Sequence, residues 1–528
     1  MTRAEFLIAA RLGVAARLGV AACLVIAACL VVGSCKAPAT QTPVAWRTDC
    51  PSLERPAPLS VEAARDAYRA AERRHALRFR EAAAPGSFVR AMHAALDGDR
   101  MAAGQLCLAD VADLGQLLFE HEFGLADGLG NGASAKGPRG PFRRVHQGGF
   151  GGPETISCPS CHWLGGPNGA GAETDDAFLE GDGDAMRSAD GRNPPALVGL
   201  GVVQALAREM TRDLQQQRAD LAHAAARAGA AQEIRLHAKG VDFGVLRASA
   251  KGEVDATGIE GVDQDMVVKP FGWKGTRPTI ADFASEALQL HIGIQSDELL
   301  AHGAPELLGS GSDRSDPDDD GIRHELGRGP FTALIVHLAV LELPTIEPLI
   351  QDRDLGPAAH GLLPPTTTSF VDDFQRGRTQ FHALGCAGCH VPMMVLTNPV
   401  VDVEGVPPID LSRALRQPGL TYDAAAGGYP VWLFSDLKRH DMGPANAARH
   451  VQNGVAPTAY LTPRLWGMAD SAPYLHDGRA PSIDYAIAGH DGEGAAARTA
   501  FVALPQEEQG ALRVYLMSLR RTRRLVVP

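Results

Sequence analysis

The hydrophobic and polar positions change in pattern along the chain. Residues 60–109 are rich in Ala, Arg and Glu, which predicts exposed helices. From residue 110 onward, glycine-rich loops surround short helices. The segments "GQLLFEHEFG" (115–124) and "VDDFQRGRTQFHALG" (371–385) carry Leu and Phe on one face and therefore predict two amphipathic helices.

A different pattern lies between these two helices. Residues 206–232 predict a charged helix, and residues 233–269 predict a hairpin region. A further helix is expected at 329–343, before a proline-rich linker at 344–366. We expect the boundary between two modules to fall in that linker.

The amino terminus has the pattern of an export signal. Three arginines precede an apolar run from Leu18 to Ser34, and a polar linker follows. Small residues stand before Cys35, as in a bacterial lipoprotein cleavage site, which predicts that Cys35 is lipidated. Two alternatives stay open: cleavage at Cys29, and an uncleaved membrane anchor, since the run is near the lower limit for a span.

Composition limits the protein class. The chain has 528 residues, of which 45% are hydrophobic and 21% charged, so it is globular and long enough for two or three domains. Its formal net charge of −12 argues against nucleic acid as a partner.

Two Cys-x-x-Cys-His units contain four of the nine cysteines. They occur in "SCPSCHWL" (157–164) and "GCAGCHVP" (385–392), each after one of the amphipathic helices. Cys-x-x-Cys-His is the attachment signal for c-type haem, in which two thiols bind the macrocycle and the histidine ligates the iron. The units therefore predict two covalent haems, held by Cys158, Cys161 and His162 and by Cys386, Cys389 and His390.

Zinc and thiol redox chemistry are the alternatives for these cysteines. A structural zinc site needs four ligands, and no second cysteine pair stands near either unit. A thioredoxin-like pair would not require the histidine. Haem attachment is therefore the favoured interpretation.

Outside the leader and the two units, Cys50 and Cys107 remain. In an exported protein they are expected either to form a disulfide or to be buried free thiols, and the sequence leaves both possibilities open.

An acidic loop predicts a further site. Asp316, Asp318 and Asp320 alternate before Gly321, and Glu325 follows. Alternating oxygen ligands around a glycine turn suit a hard cation such as Ca²⁺. A calcium ion here would hold the two modules at a fixed distance, although acidic loops without metal are common.

Four further motifs carry a family resemblance. They are "RNPPALVGLGVVQAL" (192–206), "FGWKGTRPTIADF" (271–283), "FSDLKRHDMGP" (434–444) and "LTPRLWGMADSAPYLHDGRAPSIDYAIAGHDGEG" (461–494). With the two Cys-x-x-Cys-His units, residues 110–525 resemble the di-haem oxidoreductase family. This family is related to bacterial di-haem cytochrome c peroxidases and to the di-haem enzyme of methylamine utilisation.

Together with the pattern above, the resemblance implies a mainly α chain. It would contain two cytochrome-c-like haem domains with long loops, an N-terminal helical extension and a small β-hairpin insertion. The expected order is a signal peptide at 1–35, an extension at 36–109, one haem domain at 110–345, a linker at 346–365 and a second haem domain at 366–528.

In the peroxidase relatives the N-terminal haem binds peroxide, the C-terminal haem relays electrons, and a tryptophan lies between them. The resemblance assigns the tryptophan to Trp273. Those relatives place a glutamate about 20 residues further on, but this chain has His291 there, with Glu286 as a nearby carboxylate. His291 is expected to be a proton carrier, a sixth iron ligand or a surface histidine.

At the C-terminal haem the resemblance places His490 where the relatives carry a distal Met or Tyr. A histidine there would lower the reduction potential relative to methionine. Met442 and Met468 are alternative ligands. His476 and Asp477, with Arg479, are expected either to support the haem edge and propionates or to form a simple turn.

Three functions are therefore considered. The first is a peroxidase-like enzyme that reduces hydrogen peroxide with electrons from a small periplasmic cytochrome c or cupredoxin. The second is a non-catalytic di-haem electron carrier. The third is the oxidation of a partner protein through high-valent haem. In each case the protein is expected in the periplasm, held to a bacterial membrane by a lipid anchor.

Overall fold

The computed structural model describes residues 44–47, 87–130, 153–182, 185–302, 316, 321–344, 370–415 and 419–520. The helices in these ranges are α1 (Ser87–Ala95), α2 (Gly98–Ala102), α3 (Leu108–Glu120), α4 (Leu200–Ala228), α5 (Ile280–Ala287), α6 (Asp297–His302), α7 (Arg328–Ala339), α8 (Phe370–Ala383), α9 (Leu411–Ala414), α10 (Ile483–Ala488), α11 (Ala495–Val502) and α12 (Gln506–Met517).

The strands are short, and every pair is antiparallel. They are β1 (Ala177–Leu179), β2 (Asp190–Arg192), β3 (Gln232–Ala238), β4 (Val241–Ala248), β5 (Val254–Asp255), β6 (Met394–Leu396), β7 (Val400–Val401), β8 (Ile409–Asp410), β9 (Tyr429–Val431), β10 (Arg439–Asp441) and β11 (Ala459–Leu461). They form the sheets β1–β2, β3–β4–β5, β6–β9, β7–β8 and β10–β11.

The expected mainly α chain of two cytochrome-c-like domains is wrong. The described residues combine helices with small sheets and long irregular segments, so the fold is mixed and not clearly a cytochrome c fold. The physical reason is composition: the chain has 58 glycines and 36 prolines, which interrupt helices. Short strand pairs then satisfy the backbone hydrogen bonds of the intervening loops.

Helices α1 and α2 also differ from expectation. They lie within the region predicted to form exposed helices, yet the side chains of Met92, Leu96 and Met101 are almost fully buried in the main core. Alanine and arginine dominate this region in the sequence. Its few large apolar side chains were therefore the only indication that it packs into the core. Residues 48–86 of the predicted extension lie outside the described ranges.

Each helix before a Cys-x-x-Cys-His unit packs closely on a later helix. Helix α3 contacts α7, and α8 contacts α12. Glycine permits both approaches, because a Cβ on Gly115 would lie 1.9 Å from the Ala333 carbonyl oxygen. A Cβ on Gly377 would similarly lie 2.0 Å from the carbonyl oxygen of Ala511. The two units thus share one local arrangement, as their common sequence order predicted.

The predicted charged helix and hairpin are present. Helix α4 is 29 residues long and is flanked by the cap residues Gly199 and Gly229, both of which have left-handed backbones that favour glycine. The hairpin β3–β4 follows, with β5 as a third strand, and it packs against α4. We call residues 206–265 the inserted region.

One continuous core joins the described parts of residues 45–528, which form one compact unit. The predicted linker at 346–365 lies outside the described ranges, so the division into haem domains stays a prediction. In the described part of the chain, no helix combines the length and the hydropathy needed to cross a bilayer. The predicted leader lies outside that part.

Candidate functional site

The C-terminal Cys-x-x-Cys-His unit forms one tight turn. Helix α8 ends before Gly385, whose φ of +84° turns the chain into a 3₁₀ turn at Cys386–Gly388. The amide of His390 donates to the carbonyl of Cys386 over 2.9 Å. Sequence spacing therefore brings both thiols and the imidazole onto the same short turn.

His390 and His490 face each other at a distance that suits a shared metal. Nδ1 of His390 lies 3.1 Å from the Phe434 carbonyl oxygen, and Nδ1 of His490 lies 2.8 Å from the Ala486 carbonyl oxygen. A carbonyl can only accept, so each Nδ1 carries the proton and each Nε2 is the metal-binding nitrogen.

The two ring centroids are 6.3 Å apart, with an interplanar angle of 60°. Two imidazoles that bind one metal from opposite sides, at metal–nitrogen distances of about 2 Å, have centroids about 6 Å apart. The spacing therefore fits a haem iron between His390 and His490. Helix α10, which ends two residues before His490, positions this second histidine.

A cavity of about 340 Å³ adjoins this histidine pair. Cys386, Cys389, His390 and His490 line it, as do the alternative ligands Met442 and Met468. Most of the remaining wall is apolar, which suits a macrocycle with hydrophobic faces. The residues present thus fit a haem at the C-terminal unit. Cys158, Cys161 and His162 do not line this cavity.

The protonation states favour ligation over thiol chemistry. Burial, together with the charge of His490, lowers the pKa of His390 to about 4, so its imidazole is neutral at pH 7. Burial raises the pKa of Cys386 to about 11 and that of Cys158 to about 12. Redox-active cysteine pairs depend on a lowered thiol pKa, so these values argue against a thioredoxin-like role.

His440 is a site residue that the sequence analysis did not identify. Its Nε2 lies 2.7 Å from Asp436 Oδ2, and its Nδ1 lies 2.7 Å from Glu493 Oε2 and 3.8 Å from Cys389 Sγ. Burial lowers the pKa of His440, but its partners, led by Asp436, outweigh burial and raise this pKa to about 11. Asp436 stands four residues before His440, and this spacing was the feature of the sequence from which the pair could have been predicted.

Asp436, His440 and Cys389 also offer three ligand atoms within 4.8 Å of one another. Taken alone, this group would suit a small metal ion. The cysteine, however, belongs to the Cys-x-x-Cys-His unit, and Asp436 and His440 already form an ion pair over 2.7 Å. We therefore interpret Asp436 and His440 as a charged pair beside this unit.

The N-terminal unit repeats the same turn. A 3₁₀ turn at Cys158–Ser160 leads to His162, whose amide donates to the Cys158 carbonyl over 3.1 Å. Nδ1 of His162 lies 3.1 Å from the Pro195 carbonyl oxygen and 3.3 Å from that of Gly169. Burial lowers the pKa of His162 to about 4. This histidine, too, is neutral and has Nε2 available for a metal.

His291 lies on a π-helical turn, Leu288–Ile292, that continues α5. Such turns are frequent at functional sites. Its Nδ1 is 2.5 Å from Glu154 Oε2, and the other oxygen of Glu154 accepts the Phe178 amide over 3.0 Å. Burial lowers the pKa of His291, yet the Glu154 carboxylate more than offsets burial and raises this pKa.

The sequence analysis did not identify Glu154 as a site residue. It stands four residues before Cys158, and its position beside that unit was the only available signal. Besides burial, the charge of His291 contributes to the lowered pKa of His162, so the two histidines interact. The Nδ1 of His291 contacts a carboxylate, however, whereas the Nδ1 of His490 contacts a backbone carbonyl. The two histidine pairs are therefore arranged differently.

Glu286, the other predicted carboxylate, pairs with Arg277. The guanidinium donates to both of its oxygens over 2.8 Å each. The charge of Glu286 also raises the pKa of His291, although less than that of Glu154. Glu286 thus lies near His291 but is engaged by an arginine.

Trp273 forms hydrogen bonds with two segments that line the cavity. Its indole nitrogen donates to the Asn193 carbonyl over 2.8 Å, two residues before Pro195, which contacts His162. Its own carbonyl accepts the Leu461 amide over 2.9 Å, and Trp273 lines the cavity beside His390. This position is compatible with the predicted bridge.

The "HDGR" turn borders the same cavity. His476 is buried, and its ring stacks on Tyr460 with centroids 4.3 Å apart. Arg479 pairs with Asp477 over 3.2 Å and also contacts Asn446. His476 lines the cavity, whereas the Asp477–Arg479 pair stabilises the turn.

The predicted calcium loop is described only in part. Asp318 and Asp320 lie outside the described residues. Asp316 is buried and accepts the Gly321 amide over 3.1 Å, while buried Glu325 accepts the Gln295 amide over 2.6 Å. Calcium binding stays a prediction.

Cys107 is disulfide-bonded. The sequence left open whether Cys107 forms a disulfide or is a buried free thiol, and Cys50 lies outside the described residues.

Comparison with known proteins supports the family resemblance. Residues 362–519 match the family described as "Di-haem oxidoreductase, putative peroxidase". The matched segment contains the C-terminal Cys-x-x-Cys-His unit, His440 and His490, whereas the N-terminal unit precedes it. No curated protein matches the chain. The family description implies haem cofactors and an oxidoreductase of the peroxidase type.

Proposed function

We propose that this chain is an exported di-haem c-type protein that reduces hydrogen peroxide. One haem would be attached to Cys158 and Cys161 with His162 as its axial ligand. The other would be attached to Cys386 and Cys389, with His390 and His490 on its two sides. The family match and the two attachment units support this assignment.

The observation that carries the proposal is the difference between the two histidine pairs. His390 and His490 have the spacing of two ligands of one metal. At the N-terminal unit, the Nδ1 of His291 contacts the Glu154 carboxylate instead of a backbone carbonyl, and this carboxylate favours a protonated ring, which cannot bind a metal through Nε2. The C-terminal site is thus suited to electron relay, and the N-terminal site to binding a small substrate.

A haem held by Cys158, Cys161 and His162 would supply the redox chemistry by which peroxide accepts electrons. The reaction H₂O₂ + 2H⁺ + 2e⁻ → 2H₂O also requires protons at the oxygens. Because Glu154 occupies Nδ1 and favours the protonated ring, His291 holds a proton at Nε2 and donates it to the leaving oxygen. Glu286 adds negative charge near His291 and orients Arg277.

Trp273 contacts both halves of the proposed electron path. His490, in place of a methionine, would give a haem at the C-terminal unit a lower reduction potential, which would suit it to supply electrons to the N-terminal site. We further propose that a small periplasmic cytochrome c or cupredoxin supplies these electrons. We also propose that the protein is exported and carries a lipid anchor at Cys35, which the leader pattern supports. Calcium is proposed at Asp316 and Glu325, which the burial of both carboxylates supports.

The competing function is a non-catalytic electron carrier. It would follow if His291 turned its Nε2 to the N-terminal iron and closed that site. Oxidation of a partner protein would use the same open site with a different electron source. The ligation of the N-terminal haem therefore decides between enzyme and carrier.

Mass analysis of the mature protein and optical spectra test the proposal. We expect two covalently added haems, a high-spin component at the N-terminal haem and a spectral response to peroxide. His490→Ala should change only the C-terminal haem, and His291→Ala should abolish peroxide reduction while the C-terminal spectrum is retained. His223→Ala, at an exposed position on α4, is the control.

Two results would refute the assignment. Mature protein without added haem would exclude the cofactor. Low-spin spectra of both haems in every redox state, together with no response to peroxide, would establish the electron carrier instead.

A further inference from the structure

Three charged side chains other than histidine line the large cavity, and two of them are paired. Glu493 contacts His440 over 2.7 Å, and Arg498 lies 3.4 Å from Asp491. Arg464 is the third. Its Nη2 donates to the Ala196 carbonyl over 3.2 Å, but within the described ranges no carboxylate lies within ion-pair distance of it.

The surroundings of Arg464 make an unpaired charge unfavourable. Its guanidinium lies 5.7 Å from the ring of Trp466, and the adjoining wall is mainly apolar. Burial alone lowers the pKa of Arg464 to about 10, so the side chain nevertheless stays charged at pH 7. A guanidinium has five N–H donors in a planar fork, which match the two oxygens of a carboxylate.

Arg464 also lies between the two histidine sites. Its partner Ala196 directly follows Pro195, the residue whose carbonyl contacts His162. The next residue, Leu465, donates its amide to Leu433 over 3.3 Å, beside the Phe434 carbonyl that contacts His390. The backbone directly after Arg464 and its guanidinium are thus both hydrogen-bonded, and the side chain lines the cavity.

We propose that Arg464 binds a carboxylate in this cavity, namely a propionate of the haem held between His390 and His490. This inference rests on the proposed function, because it requires a haem at the C-terminal unit. It goes beyond that proposal by assigning a binding role to a residue outside both attachment units. Arg464 is here a binding residue for the cofactor, with no part in proton transfer.

The test compares Arg464→Gln, which removes the charge, with Arg464→Lys, which retains it. Haem content is measured first by mass, and the reduction potential of each haem is then measured by spectroelectrochemistry. We expect Arg464→Gln to lower the potential of the C-terminal haem, because a positive charge stabilises the reduced iron and offsets the propionate. The expected shift is about tenfold in the reduction equilibrium, which is about 59 mV for a one-electron couple.

The C-terminal haem of Arg464→Lys should have a reduction potential close to that of the parent protein. The pH dependence of the potential gives a second measurement. Arg464→Gln should raise the pKa of the propionate, because the guanidinium stabilises the charged carboxylate. The pH at which the potential begins to change should therefore be higher in this variant.

The outcomes separate the two proposals. Loss of both haems from the parent protein would refute the proposed function itself. Normal haem content with an unchanged C-terminal potential in Arg464→Gln, or with a shift confined to the N-terminal haem, would overturn the role of Arg464. A parent potential that varies with added acetate, and ceases to vary in Arg464→Gln, would show that Arg464 binds a free carboxylate instead.

Discussion

Glu154 and His291 form the residue pair on which the proposed proton transfer depends. The carboxylate stabilises the protonated imidazole, so Glu154→Gln should lower the pKa of His291. His291 would then lose its proton at a lower pH, and peroxide reduction should decline earlier as pH rises. At pH 7 we expect a loss of about tenfold or more, within the usual range for a general acid.

The measurement is the pH dependence of peroxide reduction, with haem content held constant. Glu286→Gln is the matched control, because Glu286 is engaged by Arg277 and affects His291 less. Equal pH profiles for Glu154→Gln and the parent protein would contradict the assigned role of Glu154.

A second prediction at the residue scale concerns His490. Replacing it by methionine should keep the C-terminal haem six-coordinate but raise its reduction potential, because thioether ligation favours the reduced iron. Redox titration followed at the C-terminal haem checks this. If His490→Met and the parent protein had the same potential, then Met442 or Met468 would be the ligand, since both line the same cavity.

At the scale of elements, the inserted region holds the chain segment that follows His390. Glu209 on α4 accepts the amides of Thr397 and Asn398 over 3.1 and 2.6 Å and the Thr397 hydroxyl over 2.6 Å. It also pairs with Lys239, which donates to the Val395 carbonyl over 2.9 Å. A second contact joins Asp263 to Arg439, one residue before His440.

We predict that Glu209→Gln destabilises the protein by about 3 kcal/mol, because it removes a buried carboxylate and leaves the partly buried ammonium of Lys239 without its counter-charge. Urea-induced unfolding of the holoprotein measures the loss. Glu233→Gln is the control, since its pair with Arg247 is exposed and is expected to contribute less than about 1 kcal/mol. Equal unfolding midpoints for the two variants would show that the inserted region does not brace the C-terminal unit.

These elements also show what the sequence could and could not predict. Hydrophobic periodicity predicted α4 and its hairpin, and spacing alone predicted both attachment turns. The contacts of Glu209 with Thr397 and of Glu154 with His291 could not be predicted, because each joins residues more than 130 positions apart. The helical class was predicted wrongly because short strands such as β7 and β8 pair two residues each and have no periodic signal.

At the scale of the whole molecule, Lys274 joins the segment of Trp273 to the C-terminal half. Its side chain is 1% exposed, and its ammonium donates to the carbonyls of Ala456, Pro457 and Ala459 over 3.2, 2.6 and 2.9 Å. The ammonium also lies 3.5 Å from the centroid of the Tyr460 ring. Burial lowers the pKa of Lys274 to about 7, so three acceptors and an aromatic face hold an amine that is about half protonated at pH 7.

Lys274→Met keeps a similar volume but leaves these carbonyls without their donor. We expect a loss of about 2–4 kcal/mol in the free energy of unfolding, since three hydrogen bonds are lost and their buried acceptors are left unsatisfied. Because Trp273 is the adjacent residue, electron transfer between the two haems should also slow after half-reduction, while both haem spectra are retained. Lys251→Met, at an exposed position in the turn after β4, is the control. A parent-like unfolding midpoint together with parent-like transfer kinetics would mean that Lys274 does not fix Trp273 relative to His390.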